Sequence, residues 1–245
     1  MASRSTQRVG NEIMVSLDVQ NITNVNDDAD ILGFEHVYKK NRNLEEACMD
    51  GNLARVKYLI AHGANIRTNG DVALLLSAKY GHLEIMKFLV EHGANIYAEN
   101  NYALRISAQN GHLDVVEYLV KHCAKIHTND DYALRLSAKN GHIEVVKFLV
   151  ENGSNIHAEN EYALCYSITN GHLDVVKYLV EHGAKVHIKN DYPLQLAVIH
   201  NHLDITRYLV EQCGANILSG NNSVLRLSVE GGDLDMISYI VEMGY

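Results

Sequence analysis

DYALRLSAKNGHIEVVKFLVENGSNIHAEN, residues 131–160, decides the fold, because the chain repeats it. Gly51, Gly81, Gly111, Gly141 and Gly171 stand 30 residues apart; Asn201 takes the next place, and Gly232 follows after a one-residue insertion around Cys213–Gly214. Seven units result: 41–70, 71–100, 101–130, 131–160, 161–190, 191–221 and a truncated 222–245. Within 131–160 the stretch YALRLSAK predicts a short helix. Gly141 ends it, since glycine takes the left-handed conformation of a helix C-terminus without steric cost. Asp131 reads as its N-cap, a side chain that accepts from free backbone N–H groups. Asp71, Asn101, Asp191 and Asn222 hold the same slot. A longer helix is predicted over about 142–152, closed by Gly153, as Gly63, Gly93, Gly183 and Gly214 close its counterparts.

The second helix describes its surroundings. Glu144, Lys147 and Glu151 are three and four apart and share one face. Ile143, Val145, Val146, Phe148, Leu149 and Val150 fill the other positions. A helix with one narrow charged stripe is buried on most sides. Neighbouring units on both flanks would bury it, which predicts an all-α solenoid of stacked helix pairs.

The unit resembles the ankyrin repeat. Its first-helix signature, T-P-L-H-x-A, has counterparts in YALRLSA (132–138), YALRISA (102–108) and YPLQLAV (192–198), without the Thr and His. The second-helix likeness is closer, in GHLEIMKFLVEHGANI (81–96) and GHLDVVKYLVEHGAKV (171–186). The units have 30 residues where about 33 is usual, and the shortfall falls in the connection, where ankyrins carry a hairpin finger. Short fingers are therefore expected. Arrays of this wording look most like the ankyrin proteins of giant DNA viruses of amoebae. The resemblance implies a curved array whose inner surface, lined by the first helices, binds a partner protein.

Composition narrows the function. Of 245 residues 47% are apolar and 21% charged, a globular balance, and a single proline suits a helical chain. A net charge of −9 argues against nucleic acid and anionic membrane, which need a basic surface. No 18-residue apolar run is present, so no bilayer-spanning helix is expected, and MASRSTQRVG lacks the apolar core of a secretory signal. An intracellular, cytoplasmic protein is expected, in the host cell if viral. Residues 1–40 stand outside the repeat: the Asn/Asp-rich 18–30 is expected to be mobile, and ILGFEHVYKK (31–40) is suited to cap the first unit.

Chemistry-bearing residues mostly fall into structural columns. Twelve of the 14 histidines recur at repeat positions: His82, His112, His142, His172 and His202 before the second helices, His62, His92, His122 and His182 after them, His127, His157 and His187 in the connections. Column members lie one repeat apart, roughly 10 Å, whereas zinc needs ligands at about 2 Å. Structural roles are expected, and no metal or cofactor. Cys48, Cys123, Cys165 and Cys213 form no CxxC motif, so reduced thiols are expected. No nucleophile–base pair or phosphate-binding loop is visible, and the chain is not expected to be an enzyme. On the second helices Lys87–Glu91, Lys147–Glu151, Lys177–Glu181 and Arg207–Glu211 read as i,i+4 pairs on a solvated outer face.

Two tyrosine columns remain. Tyr58, Tyr118, Tyr178, Tyr208 and Tyr239, replaced by Phe88 and Phe148, read as core. Tyr102, Tyr132, Tyr162 and Tyr192 begin the first helices and suit either inter-repeat packing or an exposed aromatic ladder. Positions 2, 5 and 9 of the first helix share a face that varies freely: Tyr102, Arg105 and Gln109; Tyr132, Arg135 and Lys139; Tyr162, Cys165 and Thr169; Tyr192, Gln195 and Ile199. Tyr and Arg are enriched at binding hot spots. The candidate partner-binding residues are thus Tyr102, Arg105, Gln109, Tyr132, Arg135, Lys139, Tyr162, Tyr192 and Ile199, with Tyr102, Arg105, Tyr132 and Arg135 as central anchors. The expected protein is a monomer that binds an unidentified protein; the alternative is a variable solvated surface under no constraint. A second function, self-association through a last unit left sticky by Val224, Val229 and Ile237, is the rival reading.

Overall fold

The computed structural model describes residues 41–122 and 124–244; the expectations for 1–40 and for Cys123 lie outside them. Every regular element among the described residues is helical. Helices α1 (41–49) and α2 (Leu53–Ala61) form the first pair. Then come α3 (Val72–Lys79) with α4 (Leu83–Glu91), α5 (Ala98–Gln109) with α6 (Leu113–Lys121), and α7 (Tyr132–Lys139) with α8 (Ile143–Glu151). The last three pairs are α9 (Ala158–Thr169) with α10 (Leu173–Glu181), α11 (Tyr192–Ile199) with α12 (Leu203–Arg207), and α13 (Ser219–Gly231) with α14 (Leu234–Gly244). The second helix is buried as its pattern predicts: Val145, Val146 and Leu149 are fully enclosed, and Ile143, Phe148 and Val150 half so.

The entry to each first helix differs from expectation. Asp71, Asp131 and Asp191 have left-handed backbones (φ 63, 54 and 56) and make no cap hydrogen bond. Three consecutive left-handed residues precede the helical run in α5 (Glu99, Asn100, Asn101) and in α9 (Glu159, Asn160, Glu161). Asn and Asp tolerate this conformation better than most residues, which accounts for the Asn/Asp-rich connections. A left-handed Asp turns its carboxylate away from its own helix. Asp71 accepts instead from the Asn95 N–H, 3.0 Å away in the connection that ends its own unit, and Asn101 from the Lys125 N–H at 3.3 Å. The slot ties each of these first helices to the end of its own unit.

Histidines link the other side. The Nε2 of His82, His112, His142, His172 and His202 donates to the carbonyls of Met49, Lys79, Gln109, Lys139 and Thr169, each 33 residues earlier, at 2.8–3.2 Å. Each ring lies against the glycine that ends the preceding unit's first helix. The column at the second-helix C-terminus, for example His122, donates Nδ1 to the Tyr118 carbonyl at 2.7 Å and stacks on the Tyr118 ring. That stacking corrects the reading of the second-helix tyrosines as core. Tyr58 is 61% exposed and only Tyr239 is buried; Tyr118, Tyr178 and Tyr208 are half-covered, with one ring face against the array.

The outer charge pairs are also re-partnered. Lys87 and Lys147 reach back to Glu84 and Glu144 (2.7 and 2.8 Å) rather than forward to Glu91 and Glu151. Lys121 pairs with Glu117 at 3.2 Å, and Arg207 with Glu211 at 3.9 Å. The inserted residue is absorbed as a π-helical turn, Tyr208–Gln212, continuing α12. Cys213 N–H then donates to the Tyr208 carbonyl, and the core continues through Leu209 and Ala215.

Candidate protein-binding face

First helices meet through small residues: Ala103, Ser107 and Ala108 in α5, and Ala133, Ser137 and Ala138 in α7, all buried. Each serine satisfies its hydroxyl on its own helix, as Ser137 does on the Leu134 carbonyl at 3.0 Å. Second helices meet through Val, Leu, Phe and Tyr. First helices therefore pack closer to one another than second helices do. The stripe formed by positions 2, 5 and 9 lies on those helices.

Its residues are not equivalent. Gln109, Lys139 and Ile199 are exposed, as are Tyr162 and Tyr192; Tyr102 and Tyr132 are half-buried. Arg135 is only 8% exposed. Its guanidinium lies 4.9 Å from the Tyr132 ring centre, and a terminal nitrogen donates to the Asn129 carbonyl at 2.8 Å. Arg105 sits between two rings, 5.0 Å from Tyr102 and 5.8 Å from Tyr132, and donates to the Glu99 carbonyl at 2.9 Å. Gln195 makes the corresponding bond to the Asn190 carbonyl. The reading of Arg105 and Arg135 as free anchors is thus corrected. In these three units the side chain at position 5 closes over a carbonyl of the left-handed connection. Cys165 in this position is buried without such a bond, so it leaves the stripe as well.

The column of Tyr102, Tyr132, Tyr162 and Tyr192 therefore divides between the two options its sequence leaves open: packing with arginine in the middle, exposure toward the C-terminal side. Sequence reasoning missed Tyr80, Tyr166 and His200. Tyr80 is exposed beside Lys79, whose ammonium is 5.5 Å from its ring; Lys139 is 5.8 Å from Tyr166, which stacks on Tyr162 at 5.4 Å. Tyr80 and His200 occupy the residue after position 9, and counting that position would have found them.

Two model families cover the array. One, of ankyrin repeats in three copies, matches residues 44–130 and 104–190, and a single ankyrin repeat matches 190–222. The chain belongs to the ankyrin-repeat family. It is similar to the human ASB11 ankyrin repeat domain, with 26% identity and a TM-score of 0.72, over 82% of this chain and 97% of that one. No curated protein matches it. The ankyrin array is a non-catalytic binding module.

The groups that could carry chemistry have other tasks in the array. Cys48 and Cys165 are buried, and burial pushes their thiols up to about 12 and about 11. They are therefore protonated near neutral pH and poor nucleophiles. His127, His157 and His187 donate Nδ1 to the carboxylates of Asp131, Glu161 and Asp191 (3.0, 2.7 and 2.7 Å). Among the described residues no group of three His, Cys, Asp or Glu is placed to hold a metal ion, and no helix is long and apolar enough to cross a membrane.

Proposed function

We propose that this protein binds a partner protein through the first-helix face of its ankyrin array. The supporting observation is the series of large apolar side chains that this face leaves in solvent. Met49, Tyr80, Tyr162, Tyr192 and Ile199 are all exposed, with Tyr162 at 41% and Ile199 at 47%. Aromatic anchors on rigid helices bind with little loss of conformational freedom. Gln109 and Lys139 supply polar contacts beside them. The half-buried Arg105 and the buried Arg135, with Tyr102 and Tyr132, stiffen the middle of the face. The short repeat supports a source among giant DNA viruses of amoebae and a role on host factors. Buried, protonated thiols fit a reducing, cytoplasmic setting.

A photo-crosslinking residue at Tyr162 or Ile199 should capture partner polypeptide from host lysate, and the same residue at Lys147 on the outer face should not. Capture from the outer face alone would overturn the reading.

A rival, self-association through the last unit, has its own support. Val224 is fully buried and drops out, while Val229, Leu234, Val241 and Met243 are exposed, Leu234 at 77%. A mass that rises with concentration in light scattering, and is restored to one chain by Leu234→Glu, would favour this rival.

A further inference from the structure

We infer that the segment taken by the first-helix face is an acidic, extended stretch of polypeptide that also carries aromatic or aliphatic side chains. The inference rests on the first-helix face being the binding surface and adds the chemistry of what binds there.

The array is electrically two-sided. Across units 71–200, positions 2, 5, 9 and 10 of the first helices hold Lys79, Arg105, Arg135 and Lys139 and not one Asp or Glu. Over the same stretch the outer stripe of the second helices holds eight carboxylates against four bases. A chain with net charge −9 has thus kept its binding face free of acid. The segregation is sharpest where burial is deepest. Buried cations are ordinarily paired with an anion, because leaving water costs several kcal/mol. Arg135 is nine-tenths buried, yet among the described residues neither it nor Arg105 has a carboxylate partner. Carbonyls and tyrosine faces are all they meet, and the Nε of each is buried without a hydrogen-bond partner. Two uncompensated guanidinium groups set a positive field on this face, and the ammonium groups of the exposed Lys79 and Lys139 add to it. A carboxylate arriving from a partner would meet that field with no rival acid at positions 2, 5, 9 or 10.

Spacing gives the form of the ligand. Lys79 and Lys139 lie two repeats apart, about 20 Å at helix-packing distances. An extended chain covers that span in about six residues, so acids near six residues apart would reach both lysines. The exposed Tyr80 and Tyr162 and the half-buried Tyr166 lie near these lysines and take the ligand's apolar side chains. Nucleic acid also offers anions and stacking bases, but the outer stripe repels a long polyanion, and four cations make a small basic footprint.

The test is selection of a random linear 12-residue phage-displayed library on the full chain. Selected peptides are then made with a fluorophore and titrated by anisotropy. The expected result is enrichment of Asp and Glu with aromatic or aliphatic residues. Affinity should fall with added salt, and by about tenfold or more in K79E/K139E, whereas K147E/K177E changes it less than about twofold. Circular dichroism checks that both variants remain folded. Enrichment of neutral or basic peptides, or no enrichment, overturns the inference. If neutral peptides bind and lose affinity in Tyr162→Ala, the face is right and the charge argument wrong. If selected peptides ignore both K79E/K139E and Tyr162→Ala, the face itself is wrong. Tighter binding of labelled dT20 than of any selected peptide would overturn the inference in favour of nucleic acid.

Discussion

Gly111 and His142 are fitted to each other across a repeat boundary: a Cβ built on Gly111 would stand 2.5 Å from His142 Nδ1. The other ring nitrogen of His142 holds the Gln109 carbonyl at 2.9 Å. The glycine therefore meets two demands, a left-handed backbone (φ +78) and room for the ring of the next unit. Gly93 has a left-handed φ of +96 but nothing within 4 Å. Gly93→Ala is expected to cost about 1 kcal/mol for backbone strain. Gly111→Ala adds a collision and should cost about 2–4 kcal/mol. The double variant Gly111→Ala/His142→Ala should lose less stability than the two single changes combined. Urea denaturation measures all four; equal effects at Gly93 and Gly111 would show that the ring contact is immaterial.

The buried and outer sides of the second helix should separate cleanly. Leu149 is fully enclosed, and Leu149→Ala is expected to cost about 2–5 kcal/mol. Lys147 is bonded only to the exposed Glu144, and Lys147→Ala should leave the urea midpoint unchanged. Comparable shifts for both would reverse the assignment of faces.

The last helix is held by one acid. Asp233 Oδ1 accepts from the Met236 N–H at 2.9 Å, and Oδ2 from the Asn201 side chain at 2.8 Å. The Met236 N–H, then the Asn201 amide, hold the Asp233 carboxyl below its ordinary range. A depressed acid contributes stability above its unfolded pKa, about 4, and loses it as pH falls through the lower folded value. Asp233→Ala should raise hydrogen exchange in the first turn of α14 at neutral pH. The wild type should lose that protection only below about pH 4. Unchanged exchange in the variant would remove Asp233 from this role.

Legibility followed what the sequence signals physically encode. The 30-residue period, Gly141 and the apolar second helix were enough for the stacked helix pairs, since periodicity and glycine punctuation report local geometry. Asn201 was readable as a glycine substitute, and its φ of 58 agrees. Asp131 was not readable as a left-handed residue, because the same side chain suits an N-cap. The stripe was half legible. Helical spacing places Tyr162 and Arg135 on one face, but burial depends on the carbonyl of Asn129, which only a folded connection puts within reach of Arg135.

That contact decides the last prediction. As free anchors, Arg105 and Arg135 would tolerate reversal of charge without loss of stability. The structure requires the opposite. Arg135→Glu would bury a carboxylate against the Asn129 carbonyl and the Tyr132 ring face, both of which repel it, with no donor to replace the guanidinium. The expected cost is about 3 kcal/mol or more. Arg135→Gln should be milder, because Gln195 already makes the equivalent bond to the Asn190 carbonyl, at 2.8 Å. Tyr162 and Ile199, in contrast, hold up no neighbouring backbone. Tyr162→Ala and Ile199→Ser should leave the melting temperature within a few degrees, and each should weaken a bound partner by about 1–3 kcal/mol. Thermal melts and titrations of the same four variants read both quantities. If Arg135→Glu melts like the wild type while Tyr162→Ala unfolds, the positions have been given each other's roles. If all four keep full partner affinity, the partner sits on another face.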